Sequence, residues 1–133
     1  MMDRKRTDKV TDDIILHYTE SYDESTRLAD GFGQLERART EELIARFLPE
    51  PPAVVLDVGG AGGVYSFFIA GLGHEVHLVD IVPRHIEQAV AKSDEPASAK
   101  LASARVGDAR DLEFADESAD VVVMHGPLYH LTE

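Results

Sequence analysis

The chain has 133 residues, a formal net charge of -12 and no cysteine. That length is one domain's worth, enough to bury roughly two-thirds of the surface its unfolded chain exposes. The acidic balance repels phosphate backbones, the missing thiols exclude disulfides and thiolate metal sites, and no apolar run has the length of a membrane span or the form of a signal peptide, so a soluble cytoplasmic protein with no nucleic-acid and no membrane partner is expected.

Residues 1–10 are charged and aperiodic and read as a flexible tail, in which the one basic cluster, Arg4-Lys5-Arg6, is flanked by Asp3 and Asp8. Residues 11–49 read as an N-terminal helical lid or cap. Thr11 and Asp12 are candidate caps for a helix with Ile14, Ile15 and Tyr18 on one face. Tyr22 begins a second polar helical piece, which Gly31-Phe32-Gly33 breaks. A stronger helix follows, with Leu35, Ala38, Leu43, Ile44, Phe47 and Leu48 on its inner side, and Pro49, Pro51 and Pro52 end it.

From residue 50 to 133 the pattern is that of alternating strands and helices. Ala53 to Val58 is an apolar strand, followed by a glycine loop and a helix with Val64, Phe67, Phe68 and Leu72 inward and Gly73 as its stop. Glu75 to Asp80 is the second strand. Pro83 suits the first turn of the next helix, with Ile86, Ala89 and Val90 inward. A short third strand near Ser103 to Val106 stops at Gly107-Asp108, a loop anchored by Leu112 and Phe114 follows, and Asp120 to His125 is the fourth strand. Strands and helices at this spacing predict right-handed βαβ units: a Rossmann-like three-layer αβα fold with a mostly parallel sheet, preceded by the N-terminal helices.

In such a sheet, ligands bind at the carboxyl ends of the strands. Those ends carry Asp57 with Gly59, Gly60, Ala61, Gly62 and Gly63, then Asp80, Asp108 and His125. Asp80 is placed to accept hydrogen bonds from a ribose diol, at about the 20-residue spacing of a nucleoside site. A dinucleotide-binding oxidoreductase domain is disfavoured, because neither glycine frame gives G-x-G-x-x-G: from Gly59 the third and sixth positions are Ala61 and Val64, and from Gly60 the sixth is Tyr65. No Gly-Lys-Ser/Thr follows, so a Walker-type phosphate loop is excluded.

The run Val55-Leu56-Asp57-Val58-Gly59-Gly60-Ala61-Gly62-Gly63 resembles the first motif, D-x-G-x-G-x-G, of the class I S-adenosylmethionine-dependent methyltransferase family. His77-Leu78-Val79-Asp80, Gly107-Asp108-Ala109-Arg110 and the stretch from Asp120 to Leu131 extend the resemblance in order. Gly33 to Thr40 is similar to the leader of that family's bacterial small-molecule branch. The resemblance implies S-adenosyl-L-methionine as cofactor and a small molecule as methyl acceptor. It implies that Gly59 to Gly63 wraps the methionine part and that Asp57 orients the loop. Asp80 would bind the ribose hydroxyls, Ile81 would pack on the adenine, and Asp108 would accept from the adenine amino group with Ala109 at the ring. His125 and Gly126 would pass the methionine moiety. Ala61 departs from the motif's middle glycine, a change that a negative φ there would tolerate.

Methyl transfer from a sulfonium needs alignment more than side-chain chemistry. The catalytic residues are therefore unknown from sequence. His125, Tyr129 and His130 are the weak candidates, each read first as packed or solvated, and Tyr18 and Tyr22 read as core or lid. No histidine–carboxylate grouping has metal-ligand spacing. The family's sheet has seven strands with the fourth interior, so the sequence is expected to hold the cofactor-binding half. The edge of strand four would then be open to a second copy or a partner chain. A non-catalytic nucleoside-binding module that needs such a partner is the alternative to a methyltransferase.

Overall fold

The computed structural model describes residues 4–17 and 31–125. Tyr18, Tyr22, Gly126, Tyr129 and His130 lie outside the described residues. The elements in order are α1 (Arg4–Leu16), α2 (Gly31–Phe47), β1 (Val54–Val58), α3 (Val64–Gly71), β2 (Glu75–Asp80), α4 (Pro83–Asp94), β3 (Ser103–Val106) and β4 (Val121–Met124). Among the described residues the four strands form one parallel sheet in the order β3-β2-β1-β4. This is the expected Rossmann-like arrangement, and each predicted strand is found within a residue or two of its expected bounds.

The core follows from the apolar runs. Val55, Val76 and Ile69 are fully buried, as is Leu78, which packs with Phe67, Ile86 and Ala89. The Leu78 cluster lies between the sheet and helices α3 and α4, and the Val55 cluster between the sheet, α3, Ile44 of α2 and Leu48. β1 and β2 are buried over almost their whole length, the pattern of strands covered on both faces. β4 is an edge among the described strands, and Val122 is 54% exposed on it. Asp120 secures the start of β4: its carboxylate accepts from Val54 N at 2.8 Å while its own amide donates to Val54 O at 2.8 Å. Proline at the first position of α4 and glycine after α3, with Gly73 N donating to Ala70 O at 3.0 Å, match the expected start and stop.

The helical expectations need four corrections. First, α1 begins at Arg4 rather than at the Thr11–Asp12 cap, so residues 4–10 are helix and not tail. The segment has no glycine or proline, and its lysines and arginines are good helix formers even without an apolar stripe. Second, α2 begins at Gly31, so Gly31-Phe32-Gly33 forms its first turn, where amides have no intrahelical partner to lose; the piece expected to precede it lies outside the described residues.

Third, the inner side of α2 is narrower than the apolar pattern implies. Thr40, Ile44 and Leu48 form an i, i+4, i+8 row that meets the core, whereas Leu35 and Phe47 are exposed, Phe47 by 81%. Fourth, α3 is rotated from its apolar face. It buries Tyr65, Ser66, Phe67 and Ile69 and leaves Leu72 exposed, because Ser66 is drawn inward by a buried carboxylate. Val90 of α4, expected inward, is also exposed.

Candidate cofactor site

The turn from β1 to α3 brings Asp57, Gly59, Gly60, Ala61, Gly63 and Asp80 together. The parallel register sets Val58 beside Val79, and Gly59 N donates to Val79 O at 2.7 Å, so the loop leaves β1 directly over the end of β2. Gly60 lies against Asp57. A Cβ there would overlap the Asp57 carboxyl group and come within 2.6 Å of Leu78 Cδ1, so only glycine fits without movement. Gly63 has φ +89° and caps α3, with its amide on Gly60 O at 3.0 Å.

Ala61 has φ +53°, in the left-handed region. The negative φ that would accommodate its methyl group is not what the loop adopts. The conformation is held by a specific bond: Ala61 N donates to Asp80 Oδ2 at 2.9 Å. The tie between loop and second strand is thus made at the one motif position that departs from glycine.

Asp80 is buried and its two oxygens are divided. Oδ1 accepts from Val82 N at 2.9 Å and faces His85 Nδ1 at 3.0 Å, while Oδ2 faces the glycine loop. A carboxylate only accepts, so the His85 Nδ1 carries the hydrogen. Asp57 is 1% exposed and accepts from Ser66 Oγ at 2.6 Å. Burial pushes its pKa up to about 6; the Ser66 hydrogen bond works against that rise, and the nearby Asp80 charge adds to it.

The end of β3 is contiguous with this cluster, since Gly107 N donates to Asp80 O at 3.0 Å. Ile81 and Ala109, the predicted adenine neighbours, are half-buried at these two strand ends. Asp108 holds Arg110: its Oδ1 accepts from Arg110 N and Nε, both at 2.9 Å. The guanidinium hydrogen bond lowers the Asp108 pKa, against a smaller opposing effect of burial. Arg110 Nη2 also donates to Thr11 Oγ1 at 2.8 Å, which brings α1 to the carboxyl end of the sheet. A cleft of about 290 Å³ opens beside Asp108, against Val79, Arg105 and Phe114. It lies on the sheet face opposite α4, and the glycine loop does not line it.

His125 stands apart from the acids, beyond the end of β4. It is exposed, and its ring meets Tyr65 edge-on at 5.4 Å. No group of three or more histidine or acidic side chains with metal-holding geometry occurs among the described residues. No helix among them is long and apolar enough to cross a membrane.

Sequence reasoning missed Tyr65, Ser66, His85 and Arg110. Ser66 had a signal, since a serine amid apolar residues in a core helix needs a partner, and Asp57 is one turn of chain away. His85 had a weaker one, in the first turn of the helix that follows Asp80. Neither Tyr65 nor Arg110 stands out from ordinary packing or surface residues by type or spacing.

The family described as methyltransferase domain matches residues 55–133, and the chain belongs to it, within the class I S-adenosylmethionine-dependent methyltransferases. Among solved structures, the chain is similar to the magnesium protoporphyrin IX methyltransferase of Synechocystis PCC 6803 solved with bound SAM, at 18% identity and a TM-score of 0.73, covering 98% of this chain and 65% of that one. It is similar to phosphoethanolamine N-methyltransferase 1 of Haemonchus contortus, at 22% identity and a TM-score of 0.69, covering 92% of this chain and 26% of that one. A SAM-dependent methyltransferase of Methanosarcina mazei matches at 29% identity and a TM-score of 0.55, covering 62% of this chain and 40% of that one. The chain therefore spans between about a quarter and two-thirds of the length of these relatives. No curated protein matches the sequence at significance.

Proposed function

We propose that the chain binds S-adenosyl-L-methionine over the glycine loop and supports methyl transfer to a small-molecule acceptor. The observation that carries this reading is the contact between Ala61 N and Asp80 Oδ2. It sets a buried carboxylate against a glycine loop at the carboxyl ends of adjacent parallel strands, the position where such sheets take nucleosides.

The residues present fit the cofactor. Gly60 lets the loop lie directly against Asp57 and Leu78, and Asp80 offers a carboxylate acceptor whose loop-facing oxygen suits a ribose diol. Val82 N and His85 hold the other oxygen, so the acceptor is oriented before any ligand arrives. Asp108 and Ala109 would flank the adenine, and Asp57 supports the loop from beneath. When bound, the cofactor supplies an activated sulfonium methyl group. The chain's own part is to position it and keep water out, and proximity of this kind is worth several kcal/mol of a barrier, roughly 7–11 in favourable cases. Two of the similar proteins are named for small acceptors, phosphoethanolamine and magnesium protoporphyrin IX. The net charge of -12 also weighs against a nucleic-acid acceptor.

The test is calorimetric titration with S-adenosylhomocysteine and, separately, NAD, followed by transfer of labelled methyl groups into a small-metabolite pool. Binding of the first ligand alone is the expected result, with Asp80→Ala weakening it by about 1.5–3 kcal/mol through loss of a charged acceptor. Unchanged affinity in that variant removes Asp80 from the site.

A further inference from the structure

Helix α2 has a second apolar side, which the described structure leaves open. Thr40, Ile44 and Leu48 form its core row. Phe32, Leu35, Leu43 and Phe47 lie about a third of a turn away, within an arc of about 120°. They are 93%, 68%, 37% and 81% exposed. Single exposed apolar residues are ordinary, but four along one line of one helix, two of them phenylalanines, make a patch.

Charge says what can meet this patch. Two copies of a chain with net charge -12 repel wherever their acids face each other. On α2 that repulsion is absent, because Arg37, Arg39 and Arg46 balance Glu36, Glu41 and Glu42. The charges flanking the stripe are also paired within the helix: Arg37 with Glu41 and Arg39 with Glu42 at 2.8 Å, and Arg46 with Glu42 at 3.0 Å.

The spacing of the stripe is self-complementary. In an antiparallel pair of α2 helices with its two-fold axis between Arg39 and Thr40, Phe32 is level with Phe47 of the second copy. Leu35 is within one residue of Leu43 of the second copy. Glu36 lies three residues, about 4.5 Å along the helix, from Arg46 of the second copy. Arg39 meets its own copy near the axis, but each is already held by Glu42. A parallel pair would set Glu36 on Glu36 and Arg46 on Arg46 instead. At about 200 Å² for an exposed phenylalanine, the four side chains of both copies together bury on the order of 1,000 Å², the size of a weak, reversible interface.

We propose that this side of α2 is a self-association surface, on which two copies of the chain pair antiparallel through Phe32, Leu35, Leu43 and Phe47.

The experiment is analytical ultracentrifugation of the full chain from about 1 to 500 μM. The weight-average mass should rise from that of one chain toward that of two, with a midpoint of about tens of micromolar. Phe47→Glu should raise that midpoint at least tenfold, since it places a charge at the centre of the contact, and should leave the thermal midpoint of the dilute chain unchanged, since Phe47 is exposed. The orientation is read by cross-linking, which is clean because the chain has no cysteine of its own. Under mild oxidation a mixture of the Leu35→Cys and Leu43→Cys chains should form a disulfide dimer, and neither variant should do so alone, because the like positions are more than 10 Å apart along the pair. A single-chain mass at every concentration overturns the proposal and leaves the face to a different polypeptide. Association that survives Phe47→Glu overturns it by placing the contact elsewhere, the edge of β4 first. Cross-linking of Leu35→Cys with itself overturns the antiparallel arrangement.

Discussion

Asp57 and Asp108 sit at the ends of strands in the same sheet, and their surroundings drive them in opposite directions. Asp57 is sealed beneath the glycine loop, where burial outweighs its Ser66 hydrogen bond and its pKa rises to about 6. Asp108 lies near the surface at the end of β3, where the Arg110 guanidinium lowers its pKa. One acid is held by enclosure, the other by a partner. Enclosure keeps the first in place whatever its charge, and the glycine loop rests on it. A partner keeps the second ionised at the protein surface.

The largest test of this difference is pH. Asp57 has a folded pKa of about 6 against the ordinary 3.8, so the folded state binds its proton more tightly than the unfolded state. Its contribution to stability is fully present below about pH 4 and is lost as pH rises through about 6, amounting to about 3 kcal/mol. Asp57→Asn keeps an acceptor for Ser66 and has no charge to desolvate. Urea unfolding should find the variant more stable than the parent at pH 8, by about 1–3 kcal/mol, with the gap closing at pH 4. A gap independent of pH would mean that Asp57 is not enclosed as described.

A second test disturbs the enclosure without changing any charge. Gly60→Ala places a methyl group on the Asp57 carboxyl and on Leu78, both buried. The loop must shift, at a cost of about 1–3 kcal/mol in unfolding free energy, as for other overpacked sites. Adding Asp57→Ala makes room, so the double variant should lose less than the sum of the two single changes. Strict additivity would show that the glycine is there for some other reason.

The strands and the acids at their ends were legible because each is announced locally. A continuous apolar run closed by an acid, or an alternating one closed by Gly-Asp, carries its own register. The helices were less legible because their rotation is decided by partners far off in the chain. Ser66 turns α3 inward on account of Asp57, and α2 meets the core through Thr40, Ile44 and Leu48 rather than through its larger side chains. The site divides in the same way. The glycine loop and Asp80 follow from spacing, but His85 beneath Asp80 and Arg110 on Asp108 depend on which donor reaches a carboxylate in three dimensions. The φ at Ala61 could not be read from residue type, because the bond to Asp80 Oδ2 holds the backbone in the left-handed region, where an alanine seldom goes.

The smallest expected effect concerns the other half of the comparison. Arg110→Gln removes the guanidinium from Asp108 and from Thr11 Oγ1. Because Asp108 is partly solvated, water replaces most of what is lost, and the change in stability at pH 7 should stay below about 1 kcal/mol. Its sign with pH is opposite to that of Asp57: a lowered pKa contributes stability above the unfolded value, which is lost as pH falls through the folded one. The variant should therefore fall slightly behind the parent at neutral pH, and the gap should close as pH falls through the lowered Asp108 pKa of the parent. Urea unfolding at pH 7 and at a series of acid pH values measures this directly, and added salt should shrink the neutral-pH gap further. A loss of several kcal/mol would place Asp108 among the enclosed acids, and the division between the two strand ends would fail.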